Sequence, residues 1–442
     1  VTSLPVYDLS TADGASQLDA CLARLRASSS LDSKWLDIAA KLIDAVKRDG
    51  DDAVVQHMRD FGDPDFTADR IAVKESELAR AEASLDADLR QALQRSIAHV
   101  REYQQHIMPA PAKPVTIDGA ELGLRWTPIQ PVGLLVPGAS AVLFSTVIML
   151  AVPAQVAGVK AERISLVHPP PYRKAGEPVG DISPVTLAVC HMLGVQQVYR
   201  IGGPAAVAAL AFGTERIKPV NFIAGPGHPV VQAAKLQLRG VVGTDGFYGA
   251  SEIVTIADES AKPARIAADL IAQAEHDPGK CFFVTWHRSV LDAVQREVNE
   301  QLKQRSRAEA VVRALRDESC AVLVRDVSEA AAVANRFAAE HVNLAVADPD
   351  ALLSRIEHGG EFFLGDTTPV AAGDYYAGPS HTLPTGTTAR FTSGVSVYTF
   401  LKRSGTVAYR NGMSERTIAD IARLAEAEGL DGHAASVRVR EQ

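Results

Sequence analysis

The sequence predicts an α/β chain of two Rossmann-like parallel-sheet domains, with a helical N-terminal region and a C-terminal dimer arm. Three observations predict it. The chain has 442 residues, more than the roughly 100–200 of one ordinary domain. From Val132 onward, short apolar runs of strand length alternate with helical stretches, the rhythm of βαβ units on a parallel sheet. Finally, 47% of residues are hydrophobic, 22% charged and only 6% aromatic. That is enough apolar material for packed cores, which excludes a mainly disordered chain, and the few aromatics disfavour an all-β surface binder.

The elements follow in order. Residues 1–30 read as an N-terminal arm or short helix, with Leu18, Leu22 and Leu25 at helical spacing. Residues 31–131 read as a helical part that packs with the second α/β domain. Helices are expected over 33–60 and 75–107; in the first, Trp35, Ile38, Ala39, Leu42, Ile43 and Val46 recur at helical spacing. The Pro-rich stretch 108–114 ends them, and TIDGAELGLRWTPIQ reads as a hairpin turning at Asp118-Gly119. Residues 132–249 read as the first Rossmann-like domain. Its strands are VGLLV, ERISLVH, QQVYRIGG and VNFIAGPGH. Residues 250–395 read as the second, with strands SEIVTIAD, KCFFVTWH, AVLVRD, NLAVAD and EFFLGD and helices over 263–275 and 329–339. The join falls near 243–249. The two units share a rhythm, but no sequence identity between them supports duplication. After Gly365 a long Gly-, Thr-, Ser- and Pro-rich segment breaks the pattern, and such loops in compact domains are usually functional. Residues 396–442 read as a C-terminal helical dimerisation arm, with a helix over 414–426.

Composition removes several functions. The net charge is −8, from 45 basic and 53 acidic residues, against a dedicated nucleic-acid binder. The four cysteines, Cys21, Cys190, Cys281 and Cys320, form no CxxC pair, against a thiolate metal site or a disulfide scaffold. A metal would need His, carboxylate or amide ligands. The apolar run 142–154 is interrupted by Ser145, Thr146 and Pro153 and is too short to span a bilayer. The opening VTSLPVYDLSTADGAS has no basic region followed by an apolar one, so no membrane partner and a cytoplasmic location are expected.

Two groups of motifs carry chemistry. Gly-rich turns at 137–141 (PGASA), 202–206 (GGPAA) and 225–229 (GPGHP) each follow a strand. Glycine permits positive φ and close ligand approach, and the helix that follows favours anions. None is a GxGxxG followed by the expected acid, nor a Walker A loop. A single such turn is usually only a tight connection; three at one end of a sheet predict a ligand crevice. Gln273 and His276 stand three residues apart near a helix end and could reach one ion. An isolated QxxH is usually accidental, so its weight depends on company. Glu340-His341, Asp374, His381, Glu428 and His433 supply it. Of 12 histidines, His276, His341, His381 and His433 fall in short polar motifs beside turns, whereas His57, His99, His106 and His358 have ordinary helical surroundings.

QAEHDP, AAEHVNL, GDYYAGPSHTLPTGTTARFTSGVSVYTFLKR and EGLDGH together closely resemble the histidinol dehydrogenase family, as do VPGASAVLFSTVIMLAVPAQVAGVK and GPGHPVVQAAK. The resemblance covers residues 126–433. It implies a zinc-dependent, NAD-using cytoplasmic homodimer that oxidises L-histidinol through the aldehyde to L-histidine in two hydride transfers. It implies zinc ligands Gln273, His276, Asp374 and His433, the last donated by the other subunit into a shared active site, with all four also meeting substrate. His341 would take the alcohol proton, and Glu340 would activate water against the aldehyde. Ser251, His381 and Glu428 match substrate-contacting positions. An all N/O ligand set suits zinc, and would also suit manganese or cobalt. A neutral histidine can accept a proton at working pH.

Departures from the family fall on the cofactor side. Leu135 stands where the family has Tyr, Ala205 where it has Gln and His228 where it has Asn; Ala250 replaces Pro before Ser251. NAD bound through backbone amides is the expected reading. A different dinucleotide is a second, and Arg173, Lys174 and Arg200 are the nearby cations, although no 2′-phosphate pocket is specified. The alternative function is a paralogue acting on another polar alcohol, or zinc-assisted chemistry without a nicotinamide. A catalytically silent binding protein is disfavoured, because a silent copy need not keep both a metal shell and a base.

Overall fold

The computed structural model describes residues 4–138, 142–172, 177, 180–276 and 279–440. In chain order its strands are β1 (Val6–Asp8), β2 (Val115–Ile117), β3 (Ala120–Pro128), β4 (Val132–Leu135), β5 (Ile164–Val167), β6 (Gln197–Tyr199) and β7 (Phe222–Ala224). There follow β8 (Gly243–Thr244), β9 (Glu252–Ala257), β10 (Lys280–Thr285), β11 (Cys320–Leu323), β12 (His341–Ala345), β13 (Glu361–Leu364) and β14 (Leu401–Ala408).

Two parallel sheets carry the fold. The first has the order β6-β5-β4-β7-β8 and the second β1-β11-β10-β9-β12-β13. Apart from β1, both place their strands in the order third, second, first, fourth, fifth. The shared sequence rhythm is therefore a repeated doubly wound topology. In this arrangement the chain reverses its direction of travel at a switch point, between β4 and β7 in the first sheet and between β9 and β12 in the second. Strands β4, β5, β9 and β12 are buried along their whole length. Helices cover both faces, which is why these strands read as unbroken apolar runs.

The predicted hairpin is present. Strands β2 and β3 pair antiparallel around Asp118 (φ 51°) and Gly119 (φ 82°), and two successive left-handed residues make the turn that matches strand twist. Strand β14 extends this small sheet along β3, so residues 396–442 are not helical throughout. Most of β14 is exposed, leaving no apolar alternation to read. Strand β1 on the edge of the second sheet was also not legible, having only three residues.

The helical part differs in two ways from expectation. Its two long stretches are each broken. Gly50 (φ 54°) separates Ser33–Asp49 from Asp51–Phe61, and Asp86, capping the N–H of Leu89, starts Ala87–His106 after Glu75–Ala83. It also packs chiefly on the first sheet's helices, not with the second α/β domain. Ile43, Val46 and Met58 join the core of Ala205–Leu210 and Leu238, while Leu78, Leu93 and Val100 join that of Val147–Val152 and Leu187. The reason is composition. Helices Phe144–Val156 and Gly203–Phe212 are apolar around most of their circumference and buried almost throughout, so they need a second apolar layer outside them. Helix Ala12–Ser29 instead covers the second sheet through Leu18, Cys21, Leu22 and Leu25.

Candidate active site and cofactor crevice

A cavity of about 610 Å³ opens at the carboxyl ends of the first sheet, where this fold binds ligands. Its floor is built by the segments that leave β4 (Leu135 to Gly138), β6 (Ile201 to Pro204) and β7 (Pro226 to His228). Its outer wall comes from Trp35, Leu42, Met58 and Phe61 on the N-terminal helices. The three Gly-rich turns thus converge, although residues 139–141 of the first lie outside the described residues. Gly203 (φ +68°) admits no side chain, since a Cβ there would stand 2.4 Å from His57 Nε2.

Among the described residues, no Lys, Arg, Asp or Glu lines this cavity. Leu135 and His228 do line it. Ala205 does not; it is fully buried within the helix core, and Ala206 takes the wall position. His228 caps helix Pro229–Gln237, its Nδ1 accepting from the Val230 N–H at 3.4 Å. Its ring meets Trp35 edge-on, with centroids 4.9 Å apart, and desolvation lowers its pKa. Arg200 is committed to Asp181 and Glu77 at 2.7 Å each, so it is not a cation held ready for a phosphate. Arg173 and Lys174 lie outside the described residues.

The second cluster lies at the amino ends of the second sheet's strands. Ser251 precedes β9, Glu340 precedes β12, His341 opens β12 and Glu361 opens β13. Helix Val327–Phe337 ends with Ala338 in the left-handed region (φ 44°), a costly conformation for alanine, and this turn delivers Glu340. Helix Pro263–Ala274 presents Gln273 in its last turn, and helix Val370–Tyr375 presents Asp374. Glu340 Oε2 accepts from Ser251 Oγ at 2.6 Å and from the Glu252 N–H at 2.9 Å. Gln273 Nε2 donates to Ser251 Oγ at 2.7 Å, which leaves its Oε1 as the donor atom for an ion.

His341 has one defined tautomer. Its Nδ1 faces the Glu252 carbonyl at 3.3 Å; a carbonyl only accepts, so Nδ1 carries the proton. Nε2 is then the lone-pair nitrogen. It is buried, has no hydrogen-bond partner among the described residues and lies 3.8 Å from Asp374 Oδ1. His381 Nδ1 lies 3.9 Å from the same oxygen.

Burial dominates the electrostatics. It pushes the Asp374 carboxyl up to about 7, Glu252 to about 7 and Glu361 to about 8, and raises Glu340 well above the usual carboxylate range. Burial, with His276 adding to it, pushes His341 down to about 3 and His381 down to about 4. Several buried carboxyls can ionise together only if positive charge enters with them. With the unpartnered His341 Nε2 and Glu361 Oε2, this fits an N/O-ligated cation. His276, at the rim, is solvent-accessible yet close enough to bear on both buried rings.

These shifts set a pH dependence. The unfolded carboxyls titrate near 4, whereas the folded values for Asp269, Glu252, Asp374 and Glu361 run from about 6 to about 8. A raised folded value means stability that is full below the unfolded pKa and lost as pH rises through the folded one. The depressed His341 and His381 act the other way, adding stability as pH rises to about 6.5 and nothing beyond it. Metal-free protein is therefore expected to melt about 5 °C lower at pH 8 than at pH 6.5, and zinc to stabilise it more at the higher pH. Thermal scans with chelator or zinc check this.

Not every predicted residue converges. Glu428 ends helix Glu415–Ala427 and His433 lies on helix Asp431–Arg438, both exposed. These helices form a small apolar cluster of their own through Ala422, Ala425 and Ala434. Among the described residues, no three His, Cys, Asp or Glu side chains form a metal-holding group. Of the expected ligands, Gln273 is tied to the cluster through Ser251 and Asp374 through His341, whereas His433 stands on this separate pair of helices.

Sequence reasoning missed Glu361, Asp269 and Asn343. Asp269 Oδ2 accepts from Asn343 Nδ2 at 3.1 Å, and its carboxylate also accepts from the Val370 N–H. One buried carboxylate thereby ties together the helix of Gln273, the strand of His341 and the helix of Asp374. The signal was a polar Asn inside the buried strand HVNLA. Asp269→Ala is expected to weaken metal affinity about 10–100-fold, as outer-shell losses do, read by competition with a chromophoric chelator.

Residues 25–441 match the family model described as histidinol dehydrogenase. The chain belongs to the histidinol dehydrogenase family. It is 40% identical over 439 residues to the histidinol dehydrogenase of Rhodospirillum rubrum, covering 98% of each chain. With that of Cereibacter sphaeroides it shares 43% identity over 405 residues, 91% of each chain. The crystal structure of histidinol dehydrogenase from Elizabethkingia anophelis superposes with a TM-score of 0.88 at 30% identity, covering 100% of this chain and 98% of that one. The histidinol dehydrogenase fold thus accounts for both sheets and the arm. No helix among the described residues is long and apolar enough to cross a membrane.

Proposed function

We propose that the chain is a zinc- and NAD-dependent enzyme of histidine biosynthesis that oxidises L-histidinol to L-histidine through the aldehyde. The observation that carries this is the convergence of Ser251, Gln273, Glu340, His341 and Asp374 at one end of the second sheet in a histidinol dehydrogenase family member. Gln273, His276 and Asp374 would hold the zinc, with His433 reaching it from the partner of a homodimer. The exposed arm, which carries Glu428 and His433 away from its own chain's cluster, supports that exchange. Zinc there would orient the amino alcohol, and NAD in the first-sheet crevice would accept hydride. The protein's own residues do the rest. His341 Nε2 takes the alcohol proton, because Nδ1 is tied to the Glu252 carbonyl. Glu340, held by Ser251 and the Glu252 N–H, takes a proton from the water that attacks the aldehyde carbon. Ser251, His381 and the partner's Glu428 position substrate. We assign residues 132–249 to the cofactor side, 250–395 to the metal and acid/base side and 396–442 to the dimer arm, with 1–30 and 31–131 as covering layers. The enzyme works in the cytoplasm.

The test is initial-rate NADH formation by zinc-loaded protein from L-histidinol, with NADP as a second arm. Saturable NADH formation is expected. A metal-loaded, folded protein that forms neither NADH nor NADPH from histidinol refutes the assignment.

A further inference from the structure

Among the described residues no charged side chain lines the cofactor crevice, yet a fully buried ion pair stands directly behind one of its turns. Lys235, on helix Pro229–Gln237, and Asp245, just after β8, are 3% and 1% exposed in their side chains and pair Nζ to Oδ1. The Lys235 ammonium also donates to the Gly225 carbonyl at 3.0 Å and the Gly246 carbonyl at 3.2 Å. Asp245 Oδ2 accepts from the Gly225 N–H at 2.6 Å. Both backbone polar groups of Gly225 are therefore held by this one pair. Gly225 has φ +128°, and a Cβ there would lie 2.3 Å from the Leu135 carbonyl. The pair thus presses the turn after β7 against the end of β4, at the switch point. Gln232 continues the brace by donating to the Tyr248 carbonyl at 3.0 Å.

Burying two charges costs desolvation that an apolar pair of similar volume would avoid, so stability alone is a poor reason for this pair. Its geometric product is a fixed turn. That matters here because the described wall residues, Leu135, Ala206, Val231 and His228 among them, offer apolar surface and neutral rings and no charge. Where side chains contribute little, the backbone N–H groups of Gly-rich turns must hold an anionic ligand, and their placement must be set from behind.

We propose that Lys235 and Asp245 are the positioning residues of the dinucleotide site, acting through the turn that contains Gly225 and Gly227. This rests on reading the crevice as the NAD site. The test compares wild type with the charge-free double variant K235M/D245L and with D245N. Trp35 lines the crevice, so energy transfer from tryptophan to NADH reports binding. Chelator competition reports zinc affinity, and steady-state assays report KM for NAD and kcat. The double variant is expected to bind zinc as wild type does, with Kd for NADH and KM for NAD raised about 10–100-fold, the scale of a turn misplaced by about 1 Å. Its kcat at saturating NAD is expected to stay within about threefold, which separates positioning from a general loss of structure. D245N, which keeps the side-chain shape and Lys235, is expected to weaken NADH binding about 3–10-fold, and it decides the matter if the double variant does not fold. Folded variants with NADH affinity within twofold of wild type overturn the proposal. Wild type that binds no NADH refutes the reading of the crevice instead.

Discussion

Replacing His341 with asparagine lowers kcat by about 10²–10⁴-fold, the usual contribution of a positioned general base, while zinc content stays at the wild-type level. The cause is local. His341 Nδ1 is occupied by the Glu252 carbonyl, and among the described residues of the cluster Nε2 is the one nitrogen lone pair that is buried and unpartnered. Asparagine can keep the first contact but has no basic atom to offer at the second position. Because burial pushes His341 down to about 3, the ring is neutral throughout the physiological range, so the loss should be seen at every pH from 6 to 9. Steady-state rates with parallel metal analysis check it. A variant with wild-type kcat would remove His341 from the chemistry; one that lost its zinc would make it a structural residue of the metal site.

Glu340→Gln is expected to divide the reaction at its midpoint. Glutamine can still accept from Ser251 Oγ and from the Glu252 N–H, so the surroundings of the side chain survive. What disappears is a carboxylate able to take a proton from water. Histidine formation should fall by about 10²–10³-fold, with alcohol oxidation affected far less. Since burial raises the Glu340 pKa, the wild-type aldehyde step should quicken as pH rises and the carboxyl ionises; the variant should lack that rise. Single-turnover assays started from the alcohol and from the aldehyde separate the two halves. Equal losses in both halves would contradict a role confined to water activation.

What could be read from the amino acids alone followed local physics. Apolar runs bounded by glycine, proline or acidic residues marked β4, β7, β9 and β12, and the Gly-rich turns marked the crevice, because both signals reside in a few adjacent residues. The Glu340-His341 pair stood out because two polar groups at the mouth of a buried strand are expensive without a task. Other features depended on partners distant in sequence. Nothing in VYD announces that it pairs with β11, and the exposed residues of β14 make sense only beside β3. The side on which the N-terminal helices pack was misread because their apolar stripes fit any apolar surface. Only the buried circumference of Phe144–Val156 and Gly203–Phe212 chooses between the sheets. Glu361, Asp269 and Lys235 looked like ordinary charges until the fold enclosed them. Glu428 and His433 remain apart in one chain, because their proposed destination is another copy.

The most direct measurement is an end-point count on zinc-loaded protein given limiting L-histidinol and excess NAD. Two NADH and one L-histidine per histidinol consumed, abolished by chelation and restored by zinc, are the predicted result. One NADH per histidinol with the aldehyde as final product, or turnover indifferent to zinc removal, would contradict a two-step oxidation at the Gln273, His276 and Asp374 site.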